Sequence, residues 1–86
     1  MQKEKFDNIA KAITENLTRV EDIYIDEFVA NCSKRVYLVV KFSGGAISVR
    51  NVIGNSLLVN LEELARLLKG GYYSEVEYYK SLKAEV

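Results

Sequence analysis

Phe6, Ile9, Ile13, Leu17 and Val20 recur at intervals of three or four, a spacing that lines one side of a helix with ~3.6 residues per turn. A helix from roughly Lys3 to Arg19 follows. Lys3 with Asp7 and Glu15 with Arg19 stand four apart, and such exposed pairs add a few tenths of a kcal/mol each. The period then shortens to two. Ile23, Ile25 and Val29 alternate with Tyr24, Asp26 and Phe28, as in a strand with one partly polar face. Residues 21–28 also admit a helix, although the run Ile23-Tyr24-Ile25 favours a strand.

Asn31-Cys32-Ser33-Lys34 reads as a turn before Val36-Tyr37-Leu38-Val39-Val40-Lys41-Phe42, the strongest strand pattern in the chain. Its middle is apolar on both faces, which marks either a strand covered on each side or one with a covered face and an adhesive one. Ser43-Gly44-Gly45 supplies a tight hairpin, and residues 46–53 return as the partner strand. With Gly44 and Gly45 as the two turn residues, Phe42 faces Ile47, Val40 faces Val49, Lys41 faces Ser48 and Val39 faces Arg50.

Gly54-Asn55-Ser56 ends that strand, and Leu57-Leu58-Val59 leads back to the core. Asn60 and Glu63 have the spacing of a capping box for a helix starting at Leu61, whose buried face is Leu61, Leu64, Ala65, Leu67 and Leu68. Glu62 and Arg66 are spaced to pair on it, and Gly70 suits the position just past its end. A last helix begins near Ser74 and runs through Val76, Tyr79 and Leu82 toward Val86. The order is helix, strand, strand, strand, helix, helix. The expected fold is a single α+β domain over residues 1–86, a three-stranded antiparallel sheet with its helices packed on one face.

Composition narrows the chemistry. Eighty-six residues support one core. No histidine and a single cysteine, Cys32, leave no imidazole base, no thiol-rich zinc site and no intrachain disulfide. Neither metal nor cofactor is expected. Glu21-Asp22, Asp26-Glu27 and Glu62-Glu63 are adjacent pairs whose side chains diverge on a strand or helix, so solvation and capping explain them better than acid and base catalysis. Gly44-Gly45 and Gly70-Gly71 lack the spacing of phosphate-binding loops. The expectation is a protein that is not an enzyme.

The polar start of the chain and the lack of a long apolar run point to a cytoplasmic protein with no membrane partner. Lysine plus arginine equals aspartate plus glutamate at twelve each, so the basic excess that supplies nucleic-acid affinity is absent. Lys34, Arg35, Lys41 and Arg50 nevertheless gather around the central strands, which keeps nucleic acid as a second reading behind a protein partner. Self-association as a homodimer is the third, because so small a core gains from a partner subunit.

Tyr72, Tyr73, Tyr78 and Tyr79 lie within eight positions, and tyrosines are enriched at the centres of protein interfaces. Helical spacing turns Tyr79 inward with Val76 and Leu82 and Tyr78 outward. The candidate partner-binding residues are therefore Tyr37, Val39, Lys41 and Arg50 on an open sheet face, with Tyr73 and Tyr78 in the tail.

The tail, Leu61-Glu62-Glu63-Leu64-Ala65-Arg66-Leu67-Leu68-Lys69-Gly70-Gly71-Tyr72-Tyr73 followed by Glu75-Val76-Glu77-Tyr78-Tyr79, together with the element order, resembles small proteins carried by phages and mobile elements of Gram-positive bacteria. In layout it is similar to a compact anti-CRISPR family that inhibits the type II RNA-guided nuclease. The resemblance implies an α+β fold, a phage or mobile-element origin and a host-modulating role. Those inhibitors are strongly acidic DNA mimics, whereas this chain is charge-balanced, so no binding residue carries over.

Overall fold

The computed structural model describes residues 3–52, 57–69 and 73–86. Helix α1 (Lys3–Asn16) buries Phe6 and Ala10, one turn apart, and stops short of Arg19. There Leu17 N–H still bonds the Ile13 carbonyl, and Val20 N–H bonds Leu17 in the turn that enters the first strand.

Strand β1 (Val20–Ala30) runs antiparallel to β2 (Ser33–Phe42) with one irregularity, at Val20/Asp22. Residues 21–28 are thus strand and not helix. Asn31 and Cys32 make the connection with φ of 53° and 61°, the pair of positive angles required by a two-residue hairpin turn that matches strand twist. Asparagine tolerates that conformation, whereas cysteine in the second place is strained by its Cβ.

Strand β3 (Ile47–Asn51) pairs with β2 one residue away from the expected register: Val39 faces Val49, Val40 faces Ser48, and Lys41 faces Ile47. The cause is the loop. Phe42 N–H bonds the Ala46 carbonyl at 2.8 Å, Gly45 N–H bonds the Phe42 carbonyl at 3.0 Å, and only Gly45, at φ 95°, is left-handed. This is a three-residue loop, a turn followed by one left-handed glycine, and not a two-residue Gly-Gly turn. A slip of one residue changes which side chains share a face.

The sheet order is β1-β2-β3. Helix α2 (Leu57–Leu68) begins four residues before the expected start, so Asn60 is a buried position inside it, at 1% exposure, and not its cap. The apolar spacing of Leu57 with Leu61 and Leu64 extends the buried stripe toward the N-terminus, and packing overrides the local capping signal. Helix α3 (Tyr73–Ala84) follows. Ile53, Gly54-Asn55-Ser56, Gly70, Gly71 and Tyr72 lie outside the described residues.

Alternation along β2 builds two cores. Leu38 and Val40 join Phe6, Ala10, Val20, Ile23, Val52, Leu64 and Leu67 beneath α1 and α2. Tyr37 and Val39 join Ala30, Val49, Val76, Tyr79 and Leu82 beneath α3. The fold is α+β in the expected order, but its helices do not all share one face: α3 covers the side opposite α1 and α2. Of the two readings of the doubly apolar β2, the strand covered on each side is the one adopted. Leu38, Val39 and Val40 are each fully buried, contributing roughly 1.5–3 kcal/mol apiece.

Candidate partner-binding surface

The placement of α3 decides the fate of the expected open face. Tyr37 is 1% exposed and Val39 is 0% exposed, so neither is available to a partner. Tyr37 stacks on Phe28 at 6.1 Å and 14°, and its ring lies 5.2 Å from that of Tyr79. Val76, Tyr79 and Leu82 occupy the space that the open-face reading reserved for a ligand.

Helix α3 crosses the sheet from one edge toward the other. At its start, Glu75 accepts hydrogen bonds from Arg50 and from the Asn51 N–H, each at 3.2 Å. Midway, the Tyr79 hydroxyl donates to Asp26 Oδ2 at 2.7 Å. Nearer its end, Lys83 pairs with the same Asp26 oxygen at 3.2 Å and sits 4.7 Å over the Phe28 ring. Burial, and then the bond to Asp26, push the Tyr79 hydroxyl well above the ordinary value of 10.0. Burial also raises Tyr37, against a smaller opposing effect from its bond to Asn51.

The expected cationic group is engaged within the chain. Arg50 binds Glu63 of α2 at 3.0 Å and Glu75 of α3 at 3.2 Å, and so ties both helices to β3. Lys41 is exposed, with its ammonium 5.6 Å from the Tyr24 ring centre. Lys34 pairs with Glu27 at 3.6 Å, and Arg35 donates through Nε to the Ala30 carbonyl at 3.2 Å. Arg66 pairs with Glu63 at 3.2 Å and not with Glu62 as expected.

In the tail, Tyr78 is 51% exposed while Tyr79 is buried, as helical spacing requires. Tyr73 is the first residue of α3, and its side chain lies outside the described residues. Leu58 and Val29 are the other strongly exposed large apolar residues of the strands and helices, at 66% and 64%.

A surface that sequence reasoning missed lies along β1. In a two-residue hairpin the flanking residues, Ala30 and Ser33, exchange hydrogen bonds, and bonded pairs recur at alternate positions. Phe28, Asp26 and Tyr24 therefore bond to β2, while Ile23, Ile25, Glu27 and Val29 direct their backbone N–H and C=O groups away from the sheet. The Ile23 N–H is taken by the adjacent Asp22 carboxylate at 2.9 Å. No strand among the described residues lies on that side. At the opposite edge, five-residue β3 has its Asn51 N–H already occupied by Glu75.

Beside the start of this edge is a groove of about 260 Å³, lined by Asp7, Ala10, Lys11 and Thr14 of α1 and by Asp22 and Ile23 of β1. Neither Asp7 nor Asp22 forms an ion pair among the described residues. No helix among those residues is long and apolar enough to cross a membrane, and no group of three or more metal-ligating side chains comes together. Comparison with protein-family models, characterised proteins and solved structures finds no match for this chain.

Proposed function

We propose that this chain is a small, non-enzymatic, cytoplasmic protein-binding module that engages its partner along the outer edge of β1. The observation that carries the reading is the row of outward backbone groups at Ile25, Glu27 and Val29, in an eleven-residue strand with no strand on its outer side among the described residues. Such an edge is a template for strand addition, in which main-chain hydrogen bonds supply affinity. The tyrosines and carboxylates that invite a chemical role are engaged structurally: Tyr79 with Asp26, and Glu63 and Glu75 with Arg50. A host-modulating role of phage or mobile-element origin rests on the resemblance in layout alone and adds no residue to the interface.

The test is capture from lysates with the wild-type chain, a Glu27→Pro variant and a Tyr78→Asp variant, with circular dichroism checking that each remains folded. Proline at Glu27 removes an outward N–H without touching the bonds to β2. A partner retained by Tyr78→Asp and lost by Glu27→Pro is expected. Loss with Tyr78→Asp alone moves the interface to α3 and contradicts the edge reading.

A further inference from the structure

The charge around the edge identifies what it accepts. Strand β1 carries Glu21, Asp22, Asp26 and Glu27 and neither lysine nor arginine. Asp26 is taken by Tyr79 and Lys83. Among the described residues Glu27 is held only by its contact with Lys34, a pair exposed on both sides, which contributes little and is readily exchanged. Glu21 and Asp22 are exposed and have no ion pair among the described residues.

The groove extends this pattern. Asp7 and Asp22 offer two carboxylates against the single ammonium of Lys11, with Ala10 and Ile23 as apolar floor. That lining suits a side chain with a long apolar stem and a cationic head.

We propose that the outer edge of β1 receives an extended basic segment of a partner protein as a fourth strand, with one lysine or arginine side chain seated in the groove between Asp7 and Asp22. This rests on the edge-pairing reading above and names the chemistry of the partner. A second copy of the chain is the poorer occupant. Pairing β1 with itself brings the carboxylates of two copies together with no cation in either strand, and like charges across a strand pair are destabilising.

The experiment is a titration of the full chain, followed by amide shifts, with two short strand peptides of equal length: one alternating lysine with valine, the other glutamate with valine. The lysine peptide is expected to bind, to shift the amides of Ile25, Glu27 and Val29, and to weaken as salt rises. Asp7→Asn with Asp22→Asn is expected to weaken it about tenfold, the asparagine keeping an acceptor for the Ile23 N–H. Equal binding of both peptides at these amides leaves the edge reading standing and overturns the basic partner. Shifts confined to other residues, or no binding of either peptide, overturn both. Concentration-dependent dimerisation through β1, abolished by Glu27→Pro, makes the occupant a second copy and likewise overturns the proposal.

Discussion

Single residues set the geometry of both hairpins. At Asn31-Cys32 the turn was legible because asparagine favours a left-handed position and the strand that follows is the most strongly patterned in the chain, although residues 21–28 before it also admitted a helix. At Ser43-Gly44-Gly45 the turn was legible but its length was not, since two adjacent glycines fit either a two-residue or a three-residue loop. The backbone decides, because Gly45 alone is left-handed, and neither glycine has a neighbour close enough to meet an added Cβ. Gly45→Ala is therefore expected to cost about 1 kcal/mol from conformation alone. Gly44→Ala is expected to stabilise by about 0.5 kcal/mol, through a less flexible unfolded chain. Urea midpoints of the two variants check this, and equal losses would support the Gly-Gly turn.

Among the elements, α3 was the one whose own composition was legible and whose place was not. Its spacing gave Val76, Tyr79 and Leu82 as the inward face and Tyr78 as outward, and both hold. Nothing local shows which side of the sheet that face seeks. The side is fixed by long-range contacts: Tyr79 bonds Asp26, 53 positions away, and packs with Tyr37 and Val39 of β2. Tyr79→Phe is expected to cost about 1–2 kcal/mol near neutral pH by leaving Asp26 short of a donor. The same bond has a pH signature. Folding raises the Tyr79 hydroxyl above its ordinary 10.0, so the folded state holds the proton that the unfolded state releases. That contribution is complete below the unfolded value and declines as pH climbs through and beyond it. Denaturation midpoints between about pH 8 and pH 11 are expected to fall more steeply for wild type than for Tyr79→Phe. Parallel curves would mean that the buried hydroxyl is not the source.

For the molecule as a whole, the consequence of placing helices on both sides is that the broad faces of the sheet are covered and an edge is what remains. The continuous apolar run of β2 carried that possibility, because a strand apolar on both sides needs two covers. That β1 is terminal was legible from three strands joined in a meander, but the outward set Ile25, Glu27 and Val29 follows from the two-residue length of the turn at Asn31-Cys32, which periodicity does not determine. The acidic residues of β1 were visible, but without the topology they read as solvated charge. The most direct measurement is residue-resolved amide hydrogen exchange of the free chain at low and high concentration. The Ile25, Glu27 and Val29 amides are expected to exchange fast beside protected Tyr24, Asp26 and Phe28, at every concentration. Protection of the odd-numbered set to the level of its neighbours would show that the edge is already filled, and would contradict its role as the open binding surface.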